Sequence, residues 1–115
     1  MADSELFRQL ALSFPFVHEE PHVRLASFRV EGRKFATLDE ENNRGCLLLS
    51  LADQTVFCEY DKSIIYPVPN KWGNHGFTYF ELPKVPRDLL YSGLESAYNS
   101  LLDAIRESKK KKKKK

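Results

Sequence analysis

Hydrophobic residues at both ends of the chain recur at helical spacing. Near the N-terminus these positions are Leu6, Phe7, Leu10, Ala11 and Phe14. Near the C-terminus they are Leu90, Leu94, Ala97, Tyr98, Leu101 and Ile105. The intervals predict an amphipathic helix at each end, the second one long. Asp3 or Ser4 can cap the first helix and Pro15 ends it, whereas Pro86 suits the start of the last helix. Gly93, inside the last helix, allows a close approach to a sheet.

The middle of the chain contains short runs that predict β-strands: the first alternates between apolar and polar residues, and CLLLSL at 46–51 is typical of a buried strand. Five such runs occur, at 22–30, 33–40, 46–51, 63–69 and 77–82. The dipeptide at 31–32 predicts a short turn between the first two runs. The segment 52–61 predicts a short helix with one apolar side, formed by Val56, Phe57 and Tyr60. The predicted element order is therefore α-β-β-β-α-β-β-α.

This order predicts an α+β fold with two layers. Helices that bracket antiparallel strands must cover one face of the sheet, which gives an antiparallel sheet with the helices on one face and nothing on the other. Strand alternation alone does not say which of the residues Phe28, Val30, Phe35 and Leu38 lie on the covered face.

Composition and charge favour one folded domain with a basic tail. The chain has 115 residues, of which 42% are hydrophobic, and a formal net charge of +2. Seven consecutive lysines occupy 109–115; without them 11 of the 18 basic residues remain against 16 acidic ones, a net charge of −5. We therefore expect a single domain at 1–108 and a disordered lysine tail at 109–115. The tail is either a nucleic-acid-binding arm or an added solubility or purification tail.

Two sequence features bear on where the protein acts. No apolar run approaches the roughly 20 residues that a membrane span requires, and the N-terminus lacks the layout of a secretory signal. Cys46 and Cys58 have no metal-binding or redox spacing, which favours two free buried thiols over a disulfide. We expect a cytoplasmic protein with no membrane contact.

The stretch HEEPH at 18–22 matches the zinc-protease pattern H-E-x-x-H. That pattern needs a helix, because only one helical turn aims both imidazoles at one metal. Pro21 opposes a helix here, because its ring would clash with the carbonyl of Val17 and it pushes Glu20 toward an extended conformation. The stretch is better interpreted as an extended lead-in to the first strand.

Three longer stretches together resemble a known family. They are FPFVHEEPHVRLASFRVEGRKFATL, IIYPVPNKWGNHGFTYFEL and DLLYSGLESAYNSLLDAI. Over residues 4–106 the chain resembles the MmcQ/YjbR family of small bacterial proteins, most specifically between Tyr66 and Tyr79. The resemblance implies a two-layer α+β fold similar to that of type III secretion chaperones. It also implies a DNA-binding label with a "double-wing" motif, and it supplies no catalytic residues.

Basic residues in the three-stranded meander suit that label. Arg29, Arg33, Lys34 and Arg44 lie there, with Arg33 and Lys34 in or beside its first turn. A basic hairpin can act as a wing against a phosphate backbone. Alternatively, these charges only cover the solvent face of a half-covered sheet. The acidic body lacks the strongly basic footprint that is typical of nucleic-acid-binding proteins.

The loop NKWGNHG at 70–76 is the second candidate site. Lys71 and Trp72 could supply a charge and a stacking surface for a phosphate or a base, and Asn74 and His75 could supply an amide and a titratable ring. In the alternative interpretation, which is favoured, Trp72 is an apolar anchor of the core and the glycines shape the turn that buries it.

Enzymatic motifs are not evident in the sequence, and we expect a non-enzymatic protein without a cofactor or a metal. A zinc site formed by His18, His22 and His75 is a minor alternative. The chain is thus expected to be a binding module with DNA as its nominal ligand. The competing hypothesis is a protein-interaction or homodimerisation module that uses the open sheet face. An arginine-rich open face would favour DNA, and exposed apolar side chains there would favour protein.

Overall fold

The computed structural model describes residues 2–22 and 24–113, with the side chains of His22 and of residues 110–113 outside the description. Three helices and six strands follow one another along the chain. In order they are α1 (Ser4–Leu12), β1 (His18–His22), β2 (Leu25–Val30), β3 (Arg33–Asp39), β4 (Arg44–Leu48), α2 (Leu51–Cys58), β5 (Ile65–Pro67), β6 (Phe77–Glu81) and α3 (Arg87–Lys113). A short 3₁₀ turn, Gly73–His75, lies between β5 and β6.

The strands form one antiparallel sheet in the order β1-β2-β3-β4-β6-β5. The α+β class agrees with the prediction, and so does the order of helices and strands apart from one additional strand before the first predicted one. Glu31 and Gly32 both have positive φ in the β2–β3 turn, as a tight two-residue hairpin requires. A bulge between β2 and β3 leaves Phe35 as an extra residue, because Phe28 pairs with Ala36 and Arg29 pairs with Lys34.

The HEEPH stretch is a strand of its own, and this corrects the lead-in that the sequence predicted. It forms the outer strand β1, in which His18 pairs with Arg29 and Pro21 pairs with Ala26. An outer strand tolerates proline because one of its edges has no hydrogen-bonding partner. The predicted single strand 22–30 is therefore split into two strands, and Val23 between them lies outside the described residues.

All three helices pack on one face of the sheet. Phe7 of α1 packs against Phe28 of β2, Phe57 of α2 packs against Phe80 of β6, and the apolar stripe of α3 is buried throughout. Strand alternation did not decide which sheet face four residues occupy; all four are buried, and they are Phe28, Val30, Phe35 and Leu38.

Two glycines let the layers approach closely. A Cβ at Gly45 would lie 2.3 Å from the Phe7 ring, and one at Gly93 would lie 2.8 Å from the Phe80 ring. The Tyr98 hydroxyl also donates to the carbonyl of Pro15 at 2.7 Å, which fixes α3 against the end of α1. The close approach predicted for Gly93 is confirmed.

Helix α2 differs from its prediction. Val56 and Tyr60 are 65% and 53% exposed, and Gln54 is the buried residue of the helix. The reason is that Gln54 donates to three acceptors beneath it, at Gly73, Phe77 and Thr78, so this polar side chain turns inward.

Helix α3 continues beyond the predicted domain boundary. Its backbone remains helical to Lys113, and the Lys109 amine lies 3.2 Å from the Glu31 carboxylate in the β2–β3 turn. The division into a domain at 1–108 and a disordered tail at 109–115 stays a prediction.

Candidate binding site on the open sheet face

The face of the sheet opposite the helices carries alternate residues of each strand. Its central row runs across five strands, through the aligned residues Ser27, Thr37, Cys46, Tyr79 and Tyr66. Beside it, Leu48 of β4 pairs with Phe77 of β6. We call this surface the open face. It mixes small polar, aromatic and aliphatic side chains with charged ones of both signs, including Lys34, Arg44 and Glu81.

A groove of about 540 Å³ lies on the open face. Its lining consists of Leu25, Lys34, Phe35, Ala36, Thr37, Cys46, Leu48, Val68, Trp72, Phe77 and Tyr79. Its volume lies within the range of about 300–1,000 Å³ that is typical of ligand pockets. Apolar and aromatic groups dominate the lining, and Lys34 is its single charged residue.

Trp72 forms the rim of the groove and is 52% exposed. Its ring meets Phe77 edge-on, with 5.6 Å between centroids, and the Lys71 amine lies 5.8 Å from the Trp72 ring centroid. The interpretation of Trp72 as a buried anchor of the core is therefore wrong. Half of the side chain faces solvent beside an apolar groove, which is the position of a contact residue.

Two glycines bring the Trp72 loop close to the rest of the fold. A Cβ at Gly73 would lie 2.1 Å from the Val68 carbonyl oxygen, and one at Gly76 would lie 1.9 Å from that of Leu49. Gly76 also has a φ of +102°, which side chains disfavour. The Leu49 amide donates to the Gly76 carbonyl at 3.0 Å. The glycines thus fix the loop by backbone contact, and Trp72 remains at the surface.

Gln54 of α2 holds the same loop from the helix side. Its amide donates to the Gly73 carbonyl at 2.9 Å and to the Thr78 hydroxyl at 3.1 Å. The Thr78 hydroxyl in turn donates to the Gly76 carbonyl at 2.9 Å. A buried network of this kind is rigid when all its members are satisfied. It ties the backbone of the loop, at Gly73 and Gly76, to α2 and β6.

The carboxylates of the open face already have partners. Glu20 accepts from the His18 imidazole at 2.6 Å, and Asp39 accepts from the Asn42 amide at 2.8 Å. Glu81 lies 3.4 Å from the Arg44 guanidinium and accepts from the Tyr66 hydroxyl.

The predicted cationic site residues fall into two groups. Arg29 donates to the Ser27 hydroxyl and to the Gly32 carbonyl, each at 3.0 Å, and Arg44 lies 4.5 Å above the Tyr79 ring beside Glu81. Both guanidinium groups are therefore engaged within the fold. By contrast, no carboxylate among the described residues forms an ion pair with Arg33, Lys34 or Lys71.

The fold brings together only part of the predicted site. Lys34 and Trp72 line one groove, the Lys71 amine lies near the Trp72 ring, and Asn74 and His75 are exposed on the same loop, 70–76.

Two other predicted cations, Arg33 and Arg44, do not line the groove. Arg33 is exposed at the β2–β3 turn. Arg44 is four residues from Leu48 along β4, or about 13 Å in an extended strand. Since Leu48 lines the groove beside Trp72, Arg44 and the Trp72 loop lie toward opposite ends of the sheet.

Most of the groove lining was not predicted from the sequence. Leu25, Cys46, Leu48, Phe77 and Tyr79 were interpreted only as strand residues. The alternation in β4 and β6 was the available signal, because every second residue of a half-covered sheet faces outward. It did not reveal which alternate set faces outward.

Titration and metal-binding chemistry are limited at this site. Both cysteines are free; burial raises the pKa of Cys46 to about 11 and raises the pKa of Cys58. Neither thiol is therefore an activated nucleophile at neutral pH. Among the described residues no three His, Cys, Asp or Glu side chains are grouped to hold a metal. The His22 side chain, part of the alternative zinc site, lies outside the description.

Comparison with known proteins supports the fold. The chain is similar to the Deinococcus radiodurans protein DR2400, a crystal structure with a DUF419 domain, at a TM-score of 0.72 and 21% identity over 85% of this chain and 77% of that one. DUF419 is the YjbR/MmcQ-like family. No family model and no curated protein matches the chain. In the described part of the chain, no helix has the length and hydrophobicity of a membrane span.

Proposed function

We propose that the chain is a non-enzymatic binding module of the MmcQ/YjbR family and that it binds a segment of a partner protein in the groove of the open face. Similarity in fold to a DUF419 domain supports the family. The observation that carries the proposal is the pairing of an apolar groove of about 540 Å³ with a half-exposed tryptophan at its rim. Exposed aromatic groups beside apolar pockets are typical of protein-binding surfaces.

The chemistry of the lining favours protein over DNA. Duplex binding requires several cations that reach a phosphate backbone. On the open face, Arg29 and Arg44 are held by groups of the protein itself, and the body has a net charge of −5 without its seven terminal lysines. An apolar side chain of a partner, by contrast, finds Trp72, Phe77 and Leu48 around one cavity.

Selection from a random peptide library displayed on phage tests the proposal. Wild-type protein should enrich peptides with aromatic or branched aliphatic residues, and Trp72 fluorescence should report their binding, because the chain has one tryptophan. Cys46→Phe, which fills the groove from its floor, should weaken that binding at least tenfold. Arg106→Gln on the exposed side of α3 is the matched control and should bind normally.

Either of two results would overturn the proposal: no enrichment by the wild-type protein, or peptides that bind Cys46→Phe as tightly as wild type. Circular dichroism must first establish that the variant is folded. Sedimentation velocity on the same samples separates peptide binding from self-association. A homodimer that buries Trp72 would instead favour dimerisation through the open face.

DNA binding through the β2–β3 turn is a second candidate, because Arg33 and Lys34 are cations without an ion pair among the described residues. Fluorescence anisotropy of labelled duplex and single-stranded DNA at two salt concentrations tests it. If this turn binds DNA, Arg33→Ala with Lys34→Ala should weaken binding and flatten its salt dependence. A chain that ends at Ser108 serves as the control for the lysine tail. Binding that disappears with the tail would assign the affinity to the lysines.

A cytoplasmic location also remains part of the proposal. It is consistent with the two free cysteines.

A further inference from the structure

Charges on the open face are unevenly matched. As described above, Glu20, Asp39 and Glu81 each have a hydrogen-bonding partner within the fold. Lys34, in the groove lining, and Lys71, beside the Trp72 ring, have no ion pair among the described residues. The end of the groove near Trp72 is therefore left with unmatched positive charge in a protein whose body is acidic.

The charge of Lys34 reaches other residues of the groove lining. Lys34 belongs to the lining, and its positive charge lowers the pKa of the Cys46 thiol in the groove floor, although burial dominates and raises that pKa to about 11. Lys34 is partly buried, so water screens its charge less than that of a fully exposed side chain. An anionic group bound in the groove would feel the same field.

We infer that the partner segment bound in the groove carries a carboxylate side chain that pairs with Lys34, next to an aromatic or branched aliphatic side chain that packs against Trp72. This inference rests on the proposed function and specifies the chemistry of the partner. A nucleic acid would also supply anions, but its repeated phosphates need several free cations, and Lys34 is the single charged residue of the lining.

The spacing of the two groups follows from the geometry of an extended chain. Alternate residues of an extended segment point to the same side and lie about 6.6–7 Å apart. A segment that lies on the open face therefore directs residues i and i+2 into the groove. We expect an acidic residue two positions from the apolar residue in the bound segment.

A charge reversal at Lys34 tests the inference. Peptides from a random displayed library are selected in parallel on wild type and on Lys34→Glu. Wild type should enrich an Asp or Glu two positions from an aromatic or branched aliphatic residue. Lys34→Glu should keep the apolar residue and exchange the acid for Lys or Arg.

Affinities measured through Trp72 fluorescence make the test quantitative. Replacing the acid of the selected peptide by its amide, Asp to Asn, should weaken binding to wild type about tenfold to a hundredfold, as expected for a hydrogen bond to a charged group. This measurement uses the wild-type protein, so it does not depend on the folding of a variant. Lys34→Gln should weaken the acidic peptide by a similar factor and leave the amide peptide unchanged. Arg33→Gln, one residue away and exposed, is the matched control and should change neither.

The outcomes separate this inference from the proposed function. If peptides bind at Trp72 but show no acidic preference, or if the Asp and Asn peptides bind equally well, the inference is wrong and the groove remains a protein-binding site. If every selected peptide binds Cys46→Phe as tightly as wild type, both the inference and the proposed function are wrong. If labelled oligonucleotides compete for the groove more strongly than the peptides do, nucleic acid replaces protein as its partner.

Discussion

Replacing Gly76 by alanine tests whether backbone contact fixes the Trp72 loop. Gly76 has a φ of +102°, and an added Cβ would lie 1.9 Å from the Leu49 carbonyl oxygen. Gly32 is a matched control, since its φ is +79° but nothing lies within 4 Å of an added Cβ. Both substitutions strain the backbone by about 1–2 kcal/mol. Only Gly76→Ala must also move the loop.

The difference between the two variants follows from the contacts that are lost. Moving the loop breaks the hydrogen bond from the Leu49 amide to the Gly76 carbonyl, which is worth about 1 kcal/mol. Steric overlap in a packed site adds about 1–3 kcal/mol. We therefore expect the free energy of unfolding to fall about 2–4 kcal/mol further in Gly76→Ala than in Gly32→Ala, and Tm to fall about 10–25 °C further.

Urea denaturation followed by far-ultraviolet circular dichroism measures the unfolding free energies, and native-state fluorescence reports the position of Trp72. The emission of Trp72 should change in Gly76→Ala and stay the same in Gly32→Ala. Equal destabilisation of the two variants, within about 1 kcal/mol, would refute the idea that the contact between Gly76 and Leu49 positions the loop.

Two further predictions concern the support and the chemistry of the groove. Gln54→Leu should lower the unfolding free energy by about 2–3 kcal/mol, because the substitution leaves the buried acceptors at Gly73 and Thr78 without their donor. Gln9→Leu, at an exposed helical position, is the control. In the same urea titration it should change the unfolding free energy by less than about 0.5 kcal/mol. Alkylation of Cys46 by iodoacetamide, followed by mass spectrometry, should rise with pH through a midpoint of about 11, because the folded thiol keeps its proton well above the usual range. A midpoint near the value of about 8.5 for a free thiol would contradict the burial of Cys46.

Local features of the fold were predictable because each depends on a few neighbouring residues. The stripe on α3 is buried as its spacing predicted, and the Asp3 carboxylate accepts from the Leu6 amide at 2.8 Å as an N-cap. Helical spacing and capping are local properties that do not depend on the rest of the fold. The same holds for the hairpin turn at Glu31 and Gly32.

Features that depend on distant partners were not predictable. The bulge leaves two neighbouring residues, Phe35 and Ala36, both buried. Strict alternation along β3 therefore assigns Lys34, on the other side of the bulge, to the wrong face of the sheet. Val56 and Tyr60 were assigned to the apolar side of a helix at 52–61, because the acceptors that draw Gln54 inward lie 19 or more residues away in sequence; Tyr60 in fact lies beyond the end of α2 at Cys58. A single sequence contains no record of such contacts.

The candidate site also has residues that the sequence identified and properties that it did not reveal. The residues Lys71 and Trp72 were recognised from their glycine-rich loop, and Lys34 from its place beside the hairpin turn. That Arg29 and Arg44 are engaged within the fold depends on Ser27 and Glu81, which lie beside them on the sheet. Cross-strand register therefore decides which cations remain available to a ligand, and register is a property of the assembled sheet.

Amide chemical-shift mapping by NMR tests the central claim most directly. The full chain, labelled with ¹⁵N, is titrated with a peptide selected on the wild-type protein. We predict that the largest changes occur at the Trp72 indole and at the amides of Thr37, Cys46, Phe77 and Tyr79, with little change on α3. Changes confined to the β2–β3 turn and the lysines, or to the helices, would contradict the open-face groove as the binding site.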